Sequence, residues 1–438
     1  MSQALSPEFQ SARRKAFWRL LPVLFISYMV AYIDRVNVAV AKLGMAKDLP
    51  AFGEEVFGFG QTMFFLGYFL LEVPGSLMVE RWSARKWISR IMISWGLMAA
   101  LTAFVSTPKE FWTVRFLLGL AEAGFFPGVI VYLTHWFTSR DRAKALSIFL
   151  VATPFAQMLA PISVQLLDIG RSPASPALLG MVGWQWVYVL WALPALVLGV
   201  AVLWLLTDKP HQASWLTQGE AQALEAELER ERVEQARGRR MTLGQAFSHP
   251  KVLLLCLAYF CITTCSHSME LFMPSVLKDW YAVTKDNFKW LIVLPPLLAL
   301  VGQLLGGWSS DRFGERRLHA SVPLMWGAAA MLMAPFTQGS LMATMTCLML
   351  AFAGFKTYMP AFWSLPSLFL IKSAAAGSIG LINSVGNLGG AFGPWMVGRI
   401  RDTTQSYAGG FYFMGVAMAL AAVIVLSLGL GKRSSTGS

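Results

Sequence analysis

Long apolar runs follow one another along almost the whole chain. They lie near residues 17–43, 56–79, 87–106, 110–137, 142–169 and 181–206, and again near 250–278, 287–310, 318–337, 340–370, 374–399 and 407–431. An α-helix needs about 20 mostly apolar residues to cross the hydrocarbon core of a bilayer. The pattern therefore predicts an all-α membrane protein with twelve transmembrane helices, read as six, a polar break, then six. The division it suggests is an N-terminal six-helix bundle over 1–206, a cytoplasmic linker over 207–249 and a C-terminal six-helix bundle over 250–438. Within the break, Thr217-Gln-Gly-Glu220 has the form of a capping box, with a thin Leu224/Leu228 stripe after it, so a short amphipathic surface helix is expected there.

Composition agrees and excludes alternatives. Of 438 residues, 56% are hydrophobic and 14% charged, where soluble domains average about 25% charged. Neither a soluble enzyme nor a disordered chain fits. The net charge of +12 has a membrane explanation. Lys and Arg crowd one set of joints: Arg13, Arg14, Lys15; Arg81, Arg85, Lys86, Arg90; Arg140, Arg142, Lys144; the central break; Arg312, Arg316, Arg317; and Lys432, Arg433. The opposite joints hold fewer, among them Lys42, Lys47, Lys109 and Arg171. The positive-inside bias places both termini in the cytoplasm, so no nucleic-acid partner is expected. Cys256, Cys261, Cys265 and Cys347 all fall in apolar runs and read as packing residues, not as a disulfide framework or a metal site. No metal-ligand cluster, nucleophile–base pair or cofactor motif is apparent, which argues against a membrane-embedded enzyme. The uniformly apolar third, sixth, ninth and twelfth spans argue against a channel.

The halves repeat. Glu80-Arg-Trp-Ser-Ala-Arg85-Lys86 follows span 2, and Asp311-Arg312-Phe-Gly-Glu-Arg316-Arg317 follows span 8. Pro127 and Pro161 in spans 4 and 5 recur at nearly the same offset as Pro360 and Pro394 in spans 10 and 11. Parallel repeats of this kind pack about an axis along the membrane normal with a substrate site between them.

The Asp311 loop, with its weaker partner at Glu80, resembles the signature of the major facilitator superfamily, and the resemblance covers the whole chain. Three further stretches narrow it: Tyr32-Ile-Asp34-Arg35-Val-Asn37; Arg115-Phe-Leu-Leu-Gly-Leu-Ala-Glu122-Ala-Gly-Phe-Phe-Pro127-Gly128; and Leu381-Ile-Asn383-Ser-Val-Gly-Asn387-Leu-Gly-Gly390. Together they resemble the anion:cation symporter branch, which includes sugar-acid, tartrate and phthalate permeases. The resemblance implies a secondary active transporter working by alternating access, with uptake of a small organic anion by proton-coupled symport. The alternative on the same fold is a proton-coupled exporter or antiporter, although the closely spaced glycines expected before the span 5 proline of drug antiporters are missing at Met158-Leu-Ala-Pro161. It implies no cofactor beyond protons as coupling ion, no enzymatic activity, a monomer in contact with membrane lipid, and a place in a bacterial inner membrane.

Ionisable residues at bilayer depth cost about 2.5–3.5 kcal/mol each on insertion scales and are functional candidates. In this chain they are Asp34 and Arg35, Glu72, Arg115 and Glu122, His267 and Glu270, and Lys356. Arg35 offers a permanent fork for a substrate carboxylate. A carboxyl group beside it takes or loses a proton according to whether the Arg is engaged elsewhere. By the resemblance, Asp34 and Glu122 carry protons, Arg35 holds the substrate carboxylate, Arg115 partners the span 4 acid and Asn383 contacts substrate. Lys356 either binds a second anionic group of the substrate or pairs with Glu270. Tyr32, Tyr68, Tyr358 and Trp363 are candidate aromatic contacts. Glu72 reads as scaffolding for the gate, and Glu80, Arg81, Asp311, Arg312 and Arg316 as the gate itself.

Overall fold

The computed structural model describes residues 6–81, 83–173, 175–236, 249–281, 283, 285–368 and 372–429. Its helices are α1 (Pro7–Asp48), α2 (Glu54–Arg81), α3 (Ala84–Leu101), α4 (Pro108–Glu122), α5 (Phe125–Thr134), α6 (Ser139–Leu150), α7 (Ala152–Leu159), α8 (Gly183–Leu205), α9 (Gln218–Ala236), α10 (Pro250–Trp280), α11 (Lys285–Phe313), α12 (Arg317–Met333), α13 (Leu341–Thr357), α14 (Met359–Phe362), α15 (Lys372–Thr404) and α16 (Ala408–Ser427). Ten helical segments among the described residues are long and apolar enough to cross a membrane. The expectation of twelve rests also on α2 and α15, which run 28 and 33 residues but are not among those ten. Their composition has a packing cause. They lie against each other, and a Cβ on Gly58 would stand 2.3 Å from the Pro394 carbonyl oxygen. Small residues allow that approach between helices in a bilayer.

The outermost helices show the reverse of a soluble core. Leu193, Val197 and Trp204 of α8, and Trp290, Leu304, Leu305 and Trp308 of α11, are exposed, as expected of surfaces solvated by lipid tails. Polar contacts are drawn inward or to the two ends. All four cysteines are free.

One end of the molecule is marked by α9. Thr217 and Glu220 form a reciprocal cap, with Glu220 Oε2 accepting from the Thr217 N–H at 2.9 Å and the Glu220 N–H donating to Thr217 Oγ1 at 3.2 Å. The same Glu220 carboxylate accepts from Lys15 Nζ (2.8 Å) and Ser11 Oγ (2.6 Å), which docks α9 on the start of α1. Arg13–Asp141 (2.7 Å) and Ser83 Oγ to Asp208 (2.6 Å) lie at this end too.

At the opposite end α2 and α15 interlock. Asp402 accepts from the Glu54 and Glu55 N–H groups (3.2 and 2.8 Å), capping α2 from a helix in the other half of the chain. Glu54 in turn accepts from Lys42 Nζ at 2.8 Å and from the Tyr407 hydroxyl at 2.9 Å. Lys42 is only 2% exposed, with its ammonium 4.1 Å from the Phe272 ring centre. The sequence pattern puts Lys42 at the edge of a loop. The structure corrects this, because α1 continues to Asp48 and carries Lys42 into the seam.

Two outcomes are expected. The Lys15 and Ser11 contacts hold the Glu220 carboxyl down to about 2, from an ordinary 4.5. A carboxylate held lower when docked than when free stabilises docking above the free value and loses that stabilisation as pH falls toward the docked one. Protection factors in α9, taken against the intrinsic exchange rate at each pH, should therefore stay high at about pH 7 and fall toward about pH 3, and Glu220→Gln should show low protection throughout; pH-independent protection in the wild type would contradict this. Second, Asp402→Asn removes a charged helix cap worth about 0.5–2 kcal/mol. A Val36→Cys reporter should then become several-fold more reactive toward an impermeant thiol reagent applied from the Asp402 side, and unchanged reactivity would show that the seam does not hold that side shut.

Candidate substrate and proton site

A cavity enclosing about 350 Å³ of empty space, part of it open to the outside, is walled by Tyr32, Arg35, Val36, Val38, Ala39, Gln61, Phe64, Phe65, His267, Glu270 and Leu271. Its charged walls come from α1 and α10, so it lies between the two halves of the chain.

Arg35 is the guanidinium in that wall. Its Nε donates to Glu122 Oε1 at 2.6 Å, with the Arg side chain 19% and the Glu 3% exposed. The Tyr68 and Phe64 rings lie 5.1 and 5.5 Å from its centre, so the cation is held flat against aromatic faces. Asp34, on the next position of α1, points elsewhere and accepts from Trp95 Nε1 at 2.9 Å. Adjacent positions on a helix face different neighbours, and that spacing divides the two acids between different surroundings.

Arg115 departs from the expectation. It shares a helix face with Glu122, but two turns separate them, about 10 Å of rise. Its Nη2 donates instead to Gln61 Oε1 at 2.7 Å. The residue is 1% exposed, and its Nε and Nη1 have no partner. The Phe64 ring, 5.0 Å from its centre, faces the cation. Glu122 is thus free to serve Arg35.

The helix carrying Glu122 stops there. Gly124 takes φ +86°, in the left-handed region that favours glycine, and α5 restarts at Phe125. Lys356 stands at a similar break, as the penultimate residue of α13, with α14 restarting at Met359 before Pro360. Proline is tolerated in a first helical turn, where its missing N–H leaves no bond unmade.

Lys356 Nζ is 3.7 Å from Glu270 Oε1 and is not part of the cavity wall. Glu270 itself gathers donors from several helices: the Tyr32 hydroxyl at 3.0 and 3.2 Å, Gln157 Nε2 at 2.6 Å and His267 Nδ1 at 3.3 Å. Tyr32 and Tyr68 are therefore at the site. Asn383 donates to Glu72 Oε1 at 3.2 Å and Ser384 to Oε2 at 3.3 Å, binding α15 to α2. Tyr358 packs on Phe362, and Trp363 on Tyr259, in an aromatic cluster beside the cavity. The gate loop keeps its own contacts: Arg316 meets Asp311 at 2.6 Å, and Arg312 lies over Trp308. The Glu80 and Arg81 side chains lie outside the described residues. Sequence reasoning missed Gln61, Trp95 and Gln157; each is a lone hydrogen-bonding side chain in an apolar run, which is the only signal it gives. Among the described residues no group of His, Cys, Asp and Glu is arranged to hold a metal ion.

Long apolar helices, some broken beside buried charges around a central cavity, define a multi-pass membrane transporter. The sequence profile of the Major Facilitator Superfamily matches residues 24–394 and 271–437, and the chain belongs to that family, whose members are transporters and not enzymes. It is 38% identical over 416 residues to a protein of Agrobacterium vitis named as a tartrate transporter, covering 95% of this chain and 90% of that one. It is 35% identical to the quinolone resistance transporter of Acinetobacter baumannii, covering 94% and 93%. The inward-open form of the xylose transporter XylE from E. coli shares the fold, with a TM-score of 0.77 at 14% identity over 96% of this chain and 98% of that one.

Proposed function

We propose that the protein takes up a small organic anion together with protons, by alternating access. The observation that carries this reading is the Arg35–Glu122 pair in the cavity wall. An incoming carboxylate competes with Glu122 for the Arg35 fork, and a proton on Glu122 removes the competitor. Charge balance points the same way. Asp34, Glu72, Glu122 and Glu270 stand against Arg35, Arg115 and Lys356, an excess of one carboxylate when all are ionised. Uncompensated charge in a low-dielectric interior is costly. A monoanion entering with two protons, on Glu122 and Asp34, leaves the region neutral. The relative named as a tartrate transporter supports an organic-anion substrate.

The moving parts are the N-terminal six-helix bundle, 1–206, and the C-terminal one, 250–438, joined by 207–249. The α9 end, with Arg13, Lys15 and Arg85, is the cytoplasmic one by its basic charge. The interlocked Asp402 end then faces outward, and the protein works as a monomer in a bacterial inner membrane. The gate loop at Asp311, Arg312 and Arg316, with its partner at Glu80 and Arg81, acts on the cytoplasmic closure. Export is the second reading, favoured by the relative named as a quinolone resistance transporter.

Vesicles carrying the purified protein should accumulate a labelled sugar monoacid when a pH gradient, acid outside, is imposed. Glu122→Gln should abolish that accumulation while leaving exchange of substrate across the membrane. Arg35→Lys should weaken every acid by about 10- to 100-fold, because an ammonium cannot copy the two parallel bonds of the fork and a lost charged contact is worth roughly 1.5–3 kcal/mol. Accumulation by Glu122→Gln at the wild-type level would remove the proton role, and efflux driven by the same gradient would favour the second reading.

A further inference from the structure

One intramembrane carboxylate lies outside the cavity wall. Glu72 is 7% exposed, and among the described residues it has no ion pair of its own. Its bonds come from Asn383 Nδ2 at 3.2 Å and Ser384 Oγ at 3.3 Å, two neutral donors on α15. Charge-assisted bonds to a carboxylate ordinarily close to about 2.5–2.9 Å. Arg35 of α1 is the charged group that acts on Glu72, and Arg35 is already bound to Glu122. The other titratable groups facing it are phenols, Tyr68 on α2 and Tyr259 on α10. A buried carboxylate held this loosely is costly to keep ionised, and its two bonds are what offset the cost.

The placement of those bonds matters. Glu72 stands one turn, about 6 Å of rise, nearer the α9 end than Tyr68, whose ring lies 5.1 Å from the Arg35 centre. Among the described residues it makes the polar contact between α2 and α15 that is nearest that end; the Thr62–Ala391 bond and the Asp402 cap come earlier on α2. Both donors belong to the second half of the chain, so the Glu72 carboxylate ties the two halves together on the α9 side of Arg35. A proton on Glu72 removes the charge and turns one oxygen into a donor. Its bonds then fall to neutral strength, roughly half. Ionisation of Glu72 and closure of this side therefore support each other.

We propose that Glu72 is a proton-operated clasp between the halves: ionised, it holds the α9 side of the cavity shut, and protonated, it lets that side open. This rests on the symport reading above. The proton is the one that Glu122 gives up, passed on past Tyr68, so two protons still enter with each anion. Glu122, ionised again, displaces the anion from Arg35, and the anion leaves through the opened side. Once Glu72 has released its proton to the cytoplasm, the clasp re-forms and the empty carrier turns back.

The test is access from the cytoplasmic side. The four cysteines are replaced by serine, Val36→Cys is added in the cavity wall, and an impermeant thiol reagent is applied to inside-out vesicles over a range of pH. Dividing the rate for Glu72→Gln by that of the parent at the same pH cancels the titration of the thiol. The ratio should be about three- to tenfold at about pH 9 and fall to about one at about pH 5, because glutamine keeps the bonds and lacks the charge. In a chain lacking both donors, Asn383→Ala with Ser384→Ala, adding Glu72→Gln should change the rate at no pH. Unchanged thermal melts confirm that the variants are folded. A ratio of one at every pH overturns the clasp, and a raised ratio that does not fall with acid overturns its operation by a proton. An effect of undiminished size in the chain without the donors places the action of Glu72 elsewhere and also overturns it. The ratio is independent of Glu122. A flat ratio beside a Glu122→Gln variant that cannot accumulate substrate removes the clasp alone. A ratio that falls as expected beside a Glu122→Gln variant that accumulates normally supports the clasp and removes the coupling assigned to Glu122.

Discussion

A charge buried in an apolar, lipid-surrounded interior must be matched, and the centre of this molecule is organised around that constraint. Arg35 has Glu122, Lys356 has Glu270, and Lys42 has Glu54. Removing one partner of such a pair costs about 3–5 kcal/mol, because the other charge is left behind. None of these pairs therefore opens by itself. Opening one requires a replacement partner, and in the proposed symport a proton or an anionic ligand would supply it at Arg35–Glu122. Asp34 and Glu72 are held by neutral donors, and Arg115 is the cation left without a carboxylate. Gln61 and the face of Phe64 hold it without a carboxylate, which leaves a standing positive potential near Asp34 and Glu122.

The helix breaks sharpen the arrangement. Glu122 is the last residue of α4, and Lys356 is the penultimate residue of α13, so the repeat sets opposite charges at matching breaks. A helix C-terminus carries a partial negative charge, worth about 0.3–1 kcal/mol to a nearby cation at the surface and up to about 2 when partly buried. That field favours Lys356 and opposes Glu122. The second half can therefore keep its cation in place with one carboxylate beside it. In the first half, Glu122 depends on Arg35 to offset the field, and any ligand that takes Arg35 leaves the carboxylate exposed to it. In the proposed symport, this asymmetry would place proton exchange in the first half and a fixed polar wall in the second.

Much of the architecture could be read from the chain because the bilayer sets helix length: runs of about 20 apolar residues have few other uses. Span 11 was the least plain, since glycines and polar groups that let α15 touch α2 dilute its apolar signal. Site residues followed from the cost of intramembrane charge, and Arg35, Glu122, Tyr32 and Tyr68 do meet around one cavity. What failed was pairing. Arg115 and Glu122 share a face, yet helical rise keeps them apart, and Arg35 comes from another helix. Lys42 has the signature of a loop cation until Glu54, Tyr407 and Asp402 are brought to it. The Asp402 contact spans 348 and 347 positions of sequence, which no local pattern encodes. Gln157 was invisible for a related reason. An amide in an apolar span reveals its role only when its partner, here Glu270 of another helix, is brought to it.

The α2–α15 seam ties these points together. At one end Asp402 caps α2, and further along α2 Glu72 accepts from Asn383 and Ser384 of α15. Between them the Thr62 hydroxyl donates to the Ala391 carbonyl at 2.6 Å. Two long helices joined by polar contacts at several levels can separate only by giving up several bonds. Separation at the Asp402 end also frees Glu54 to leave Lys42, whose ammonium then has Phe272 as its remaining neighbour. Opening that end thus requires water or an ion to reach Lys42, whereas the surface pairs at the α9 end, such as Lys15–Glu220 with Lys15 41% exposed, fasten α9 to the first half and do not join the two halves. Exposed pairs contribute about 0–1 kcal/mol each. The two ends therefore differ in kind: the Asp402 end joins the two halves of the chain through α2 and α15, and the α9 pairs belong to the first half and the linker.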